Sequence, residues 1–252
     1  MQKLTLALTL STLIPSSHAQ TLTAPDWALP GSPTHKQVPP PAAFHRPSRI
    51  FATPIGIFHA QADIGSALVP STATFNPSLG QYTITSAGYN IWYSRDEFRY
   101  LYNQMSGDIS LAADLTFPGS EPPSDRKAVL ILRQNLNDDS PEAIVAEHAT
   151  GMVHLATRAS TGANIQDMQF RFAGPLLSSP LPHRIGIEKH GDDFTLYVSL
   201  QGEPLHPFGP PIHLHLTAPF FVGIGFTSHD PIHTDTAILS NVTLKNQAND
   251  LH

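Results

Sequence analysis

The chain has 252 residues, with 14 Lys and Arg against 20 Asp and Glu, 14 His, 24 Pro, no Cys and a formal net charge of −6. That balance, with no basic cluster anywhere, excludes a nucleic-acid footprint. The lack of Cys excludes disulfides, thiolate chemistry and Cys-ligated zinc or iron–sulfur sites, and the length suits one large domain with a well-buried core.

In chain order, a leader comes first. Lys3 precedes an apolar run over residues 4–14, and Ser17-His18-Ala19 supplies a small-x-small step before Gln20. This layout predicts a signal peptide over residues 1–19 and a secreted product, periplasmic or extracellular. No segment offers the ~20 apolar residues of a membrane span. Residues 20–48 hold seven prolines, Pro25, Pro30, Pro33, Pro39, Pro40, Pro41 and Pro47. Proline fixes φ and removes a donor, so this stretch reads as an extended arm or linker.

Residues 49–245 read as one β domain. Residues 81–85 and 109–117 alternate apolar and polar, the signature of half-buried strands. Residues 128–133 are almost continuously apolar, as in a central strand covered on both faces. Segments 144–148, 152–158 and 166–172 follow. Segments 184–190 and 194–200 flank Gly191-Asp192-Asp193, a hairpin signal. Segments 212–216, 220–226 and 237–244 complete about eleven strands, with the turn spacing of a sandwich or barrel. A weak helical periodicity covers 95–104. The tail, 246–252, is polar and expected to fray. No fixed-period repeat is present, which argues against a propeller within this chain.

Several segments resemble one family. They are Asn90-Ile91-Trp92, residues 98–108, residues 126–134, Asp139-Ser140, His148 with Gly151, and Phe221-Val222-Gly223-Ile224-Gly225 followed by Ser228-His229-Asp230. Together they are similar to the secreted concanavalin A-like lectin/glucanase-type domains found beside Tol-type propeller modules. The resemblance spans residues 57–244 and implies a jelly-roll sandwich of two curved antiparallel sheets with a carbohydrate-associated role. The family's usual His-Gly-Asp-Gly turn reads His148-Ala149-Thr150-Gly151 here.

Known catalytic patterns are missing. The glucanase branch uses Glu-x-Asp-x-x-Glu, where period two brings carboxylates into one cleft. None of the six Glu here is followed by Asp two positions on. Asp96, Glu147 and Asp230 remain as carboxylates to inspect, with a solvated surface as their ordinary destination. No Gly-x-Ser-x-Gly elbow occurs. Gly223-Ile224-Gly225 lies within a strand, so close backbone packing explains it better than a nucleotide site. His213-x-His215 puts two imidazoles on one strand face, yet no metal motif is complete, and neither a metal nor a cofactor is expected.

Sugar rings stack on aromatic faces, and their hydroxyls exchange hydrogen bonds with Arg, Asn, Gln or Asp. The candidate ligand-binding set is therefore Trp92, Asp96, Arg133, Gln134, His148, Arg158, His229 and Asp230. Trp92 and Tyr93 are adjacent, so in an extended strand one enters the core and the other reaches a cleft. Arg133 shares a face with Val129 and Ile131 and must reach a cleft or pair with a carboxylate. The competing expectation is a buried Arg133–Asp96 pair beside a core Trp92. The sequence thus points to a secreted or envelope-associated carbohydrate-binding sandwich, non-catalytic, with a glycan as ligand and no protein partner identified. A hydrolase with an atypical carboxylate pair and a structural, partner-binding domain are the alternatives.

Overall fold

A computed structural model describes residues 45–119, 125–172 and 184–251. The expected signal peptide and the arm up to residue 44 lie outside the described residues. Among the described residues every regular element is a strand, eighteen in all.

Two large sheets dominate. The first runs, in spatial order, β1 (Arg49–Phe51), β2 (Ala60–Ile64), β7 (Phe98–Met105), β17 (Phe220–Thr227), β9 (Lys127–Arg133), β10 (Glu142–His148), β11 (Met152–Arg158) and β12 (Gln166–Arg171). The second runs β15 (His206–Pro207), β14 (Asp193–Ser199), β13 (Arg184–His190), β8 (Ile109–Thr116), β18 (Asp230–Lys245), β4 (Gln81–Gly88) and β3 (Thr72–Asn76), with β16 (Ile212–His213) beside β14. A small hairpin, β5 (Ile91–Trp92) with β6 (Arg95–Asp96), stands apart. Pairing is antiparallel throughout. The chain is an all-β jelly-roll sandwich of two antiparallel sheets.

Period two explains the layers. Ala128, Leu130 and Leu132 of β9 face the second sheet and join Ile84, Leu111, Ile185, Ile187, Leu196, Val222 and Ile224 in the inter-sheet core. Val129 and Ile131 point the other way and join Ile64, Phe98, Tyr100, Ile144 and Ala146 in a second apolar layer, against which Ile91 packs. The first sheet is therefore covered on both faces, and every residue of β9 and β10 is buried. Strand β17 makes this layer thin at its glycines. A Cβ at Gly225 would lie 2.7 Å from both the Phe98 ring and the Arg99 carbonyl. One at Gly223 would lie 1.9 Å from the Leu101 carbonyl. The Gly-x-Gly strand thus serves close packing.

Two sequence expectations are revised. Residues 98–105 form a central strand, because both of its faces are covered and its pattern carries no clean alternation. The tail is docked: Leu251 is buried against Ala112 and Tyr197, and Asn246 Nδ2 donates to the carbonyls of Ser106 at 2.6 Å and Asp108 at 2.9 Å. The described end of the arm is tied to the sandwich as well. His45 Nδ1 lies 2.9 Å from Asp138 Oδ1, and Gly65 N donates to Ser48 Oγ at 3.1 Å.

Candidate functional site

The outer face of the first sheet carries its unusual chemistry in two cross-strand rows. Register sets them, since directly opposed residues share a face. In one row, Arg133 of β9 lies opposite Glu142 of β10, which lies opposite Arg158 of β11. Asp96 descends onto this row from β6. Its Oδ2 accepts from Arg133 Nη1 at 2.6 Å and Arg158 Nη1 at 2.7 Å, and its Oδ1 accepts from Arg158 Nη2 at 2.7 Å. Glu142 pairs with Arg133, and its Oε1 lies 3.0 Å from Arg158 Nη1. All four side chains are 0% exposed. Burial works against charge on Asp96, but Arg158 and Arg133 hold its carboxyl below the usual aspartate value. Burial dominates at Glu142 and pushes its carboxyl up, against the pull of the same two guanidiniums. The buried Arg133–Asp96 pair is thus what the chain adopts, widened to four groups. Asp96, Arg133 and Arg158 satisfy one another beneath the surface rather than facing a ligand.

The second row lies at the other end of the same strands. Lys127, first residue of β9, is six residues from Arg133, or about 20 Å along a strand. It stands opposite His148 of β10 and Thr227 of β17. One step inward, Ala146 lies opposite His154 of β11. A cleft of about 290 Å³ opens over this end, lined by Asn90, Trp92, Tyr93, Asp125, Lys127, His148, Met152, Gln169 and His229. Trp92 forms its aromatic wall. The Trp92 ring lies 5.4 Å from that of His154, and Lys127 Nζ sits 5.1 Å from the Trp92 centroid.

Both ends of the wall are held in left-handed backbone. Tyr93 has φ 50° and His229 φ 62°, uncommon for residues other than glycine. The turn at Tyr93 explains another revision. Trp92 and Tyr93 both line the cleft, because Tyr93 follows the end of β5 and does not alternate with Trp92. Around His229, Ser228 Oγ donates to the carbonyls of Asp230 and His233, each at 2.9 Å, while Asp230 Oδ1 accepts from the amides of Ile232 at 2.9 Å and His233 at 3.0 Å. Asp230 is thus a loop-shaping residue that presents His229.

Titration at the cleft floor follows from burial. Burial pulls the Lys127 ammonium down to about 8, with Asp125 opposing. Burial also pushes His148 far below the ordinary imidazole value, and the nearby Lys127 charge adds to this. His154 is lowered for the same two reasons. Both imidazoles are therefore neutral. His148 Nε2 lies 3.3 Å from His154 Nδ1, so one ring donates and the other accepts. Their far nitrogens, His148 Nδ1 and His154 Nε2, are buried with no hydrogen-bond partner among the described residues.

The remaining sequence candidates lie elsewhere. Gln134 donates through Nε2 to Thr217 O at 2.8 Å and accepts from Thr217 N at 2.7 Å, a clamp between loops. Glu147 points into the inter-sheet core beside Ala128 and Val153, Asp96 sits on Arg133 and Arg158 and Asp230 caps its own loop, so these three carboxylates do not converge. His213 and His215 each face their own partner, Asp193 Oδ1 at 3.0 Å and Asp192 Oδ2 at 2.9 Å. Among the described residues one group, His45, Asp138 and Asp139, brings three possible metal ligands within 4.8 Å of one another. There Asp138 already accepts from the Arg46 amide at 3.3 Å and meets Arg95 Nη1 at 3.8 Å.

Of the eight sequence candidates, Trp92, His148 and His229 meet at the cleft. Lys127 also lines the cleft, with His154 buried against Trp92 and His148, and neither belongs to that set. Lys127 carried a readable signal: it keeps the period of Val129, Ile131 and Arg133 on a strand otherwise apolar.

No family model matches the sequence, and no curated protein matches it. Solved structures do resemble the fold. A functionally unknown protein from Saccharomyces cerevisiae superposes with a TM-score of 0.53 at 11% identity, covering 72% of this chain and 95% of that one. The carbohydrate-binding module CBM66 from Bacillus subtilis gives 0.44 at 14% identity, over 70% and 92%. The alginate lyase from Klebsiella pneumoniae gives 0.44 at 11%, over 70% and 84%. At such identities the likeness is one of fold.

Proposed function

We propose that this chain is a secreted glycan-binding sandwich whose ligand occupies the cleft over Trp92. The observation that carries the reading is Trp92 itself, half-buried and forming one wall of an open cleft. An indole held in this way offers a flat apolar face to the C–H face of a sugar ring. Asn90, Gln169 and His229 surround it with groups suited to hydroxyls, the usual mix of apolar wall and a few polar anchors. The leader pattern at residues 1–19 supports export, which a mature N-terminus at Gln20 would establish.

A carboxylate-pair hydrolase draws little support. Such an enzyme needs two carboxyls flanking the bond that breaks, whereas the cleft's described lining contains Asp125 alone. One observation favours turnover by other groups: an amine near pH 8 and a neutral imidazole share the cleft, a pairing suited to proton transfer. Release of reducing ends from a bound glycan would reveal it.

The test is saturable binding of the full chain across neutral and acidic oligosaccharides, with Trp92→Ala beside the parent. The expected result is binding that weakens at least about tenfold, or 1.4 kcal/mol, in a folded Trp92→Ala variant. An empty panel, or a variant that binds as the parent does, would overturn the proposal.

A further inference from the structure

The outer face of the first sheet treats its buried cations unequally. At one end, Arg133 and Arg158 each meet both Asp96 and Glu142. At the other end, Lys127 is 2% exposed and meets no carboxylate at ion-pair distance among the described residues. An ammonium has three N–H donors. Lys127 Nζ uses one on the Ile91 carbonyl at 3.2 Å and lies over the Trp92 ring, with no further hydrogen bond among the described residues. The imidazoles beside it are neutral and bring no counter-charge. His148 Nδ1, in a residue lining the same cleft, is buried and without a hydrogen-bond partner among the described residues. Asp125 is the nearest acidic neighbour in sequence, but it stands at the mouth, 42% exposed and 3.8 Å from His229 Nδ1. A desolvated cation is costly unless an opposite charge answers it. Among the described residues no opposite charge answers it, and the cleft is the opening through which an external one would enter.

We infer that the cleft selects an acidic glycan, one anionic group of the sugar set against Lys127 Nζ while the ring lies on Trp92. This inference rests on the glycan-binding reading and adds the ligand's charge. A carboxylate or a sulfate ester would supply the same chemistry: oxygen acceptors for two free ammonium donors, and an acceptor for an N–H at His148 Nδ1. An anion seated there forms charge-assisted bonds, roughly twice as strong as neutral ones.

The experiment is calorimetric titration of the full chain with three sets of oligosaccharides: uronates, sulfated neutral sugars, and uncharged glucans. Parent, Lys127→Met and Trp92→Ala are compared. Methionine keeps the unbranched apolar stem of lysine, one atom shorter, without its charge. At least one acidic set is expected to bind about tenfold or more tighter than the glucans, and the set that does so identifies the anionic group. Lys127→Met is expected to erase that preference, weakening the acidic set about tenfold more than the glucans, while Trp92→Ala weakens both. Should Lys127→Met fail to fold, salt dependence decides, because the acidic preference of the parent must shrink at high ionic strength. Equal affinity for acidic and uncharged sets, with Lys127→Met matching the parent, would overturn this inference and leave the glycan reading intact. Acidic binding that survives Trp92→Ala unchanged would overturn the cleft as its location. No binding by any set would overturn both readings.

Discussion

At position 147 a glutamate stands where alternation on β10 puts a core side chain. Its neighbours across the ladder are Ala128 and Val153, both members of the inter-sheet core. Both carboxylate oxygens are buried without a hydrogen-bond partner among the described residues, and burial pushes the carboxyl well above its ordinary value. The folded chain therefore keeps this proton at pH values where the unfolded chain releases it. Folded protein binds more protons above about pH 4.3, so this group lowers stability as pH rises, by about 1.4 kcal/mol per unit until the folded carboxyl titrates. Glu147→Gln is expected to be nearly neutral at about pH 4 and to stabilise by more than about 1 kcal/mol near neutrality. Urea titrations of parent and variant across this range test it, and an advantage that does not grow with pH would refute the assignment. The sequence shows a carboxylate at 147 but not its burial. A glutamate ending an apolar strand reads equally well as the first residue to return to solvent.

Strands β9, β10 and β11 show how much one register can decide. Arg133, Glu142 and Arg158 meet only because their strands pair at those positions, and Asp96 reaches them only because β6 folds over the sheet. The apolar run of β9 was legible from residues 128–133, as were β11 and β13, whose flanking turn residues mark their ends. Pairing partners were not legible, since register needs the neighbouring strand. For the same reason Arg133 and Arg158 looked like groove residues. Strand β7 was illegible in another way: Phe98, Tyr100 and Tyr102 face one apolar layer and Leu101 the other, so both faces carry bulk and period two disappears. Arg133→Met is expected to cost about 3–5 kcal/mol, because it takes one of two guanidiniums from Asp96 and Glu142, both 0% exposed. Adding Glu142→Leu should recover a good part of that loss, a coupling that a double-mutant cycle with denaturant measures. Additive losses would mean that the row is not one network. On β17, Gly225→Ala is expected to destabilise as well, since the new methyl meets the Phe98 ring and a backbone carbonyl at 2.7 Å.

Across the molecule, the two ends of one sheet face separate structure from function. The Arg-carboxylate row is closed, and its charges answer one another within the chain. The Lys127 end is open and keeps polar atoms unfilled, and the strained turns at Tyr93 and His229 border it. The histidines there set the acid response. Burial and the Lys127 charge keep His148 and His154 neutral in the fold, whereas both protonate in the unfolded chain below about pH 6.5. Stability must then fall as pH drops below that value, by about 1.4 kcal/mol per unit for each ring. Glu147 opposes this between about pH 4.3 and 6.5, so the slope is cleanest in the Glu147→Gln background. There His154→Phe should remove about half of it, and thermal melts at stepped pH would show an unchanged slope if the imidazoles were already charged in the fold. The central claim, that a glycan lies on Trp92, has a direct reporter. The chain has two tryptophans, Trp27 and Trp92, so Trp27→Phe leaves Trp92 as the single indole. Its emission is to be followed while an acidic oligosaccharide is added and binding is measured in parallel by calorimetry. A saturable change in emission that tracks the calorimetric isotherm is the predicted result. Binding that leaves the emission of Trp92 unchanged, or no binding at all, would contradict it.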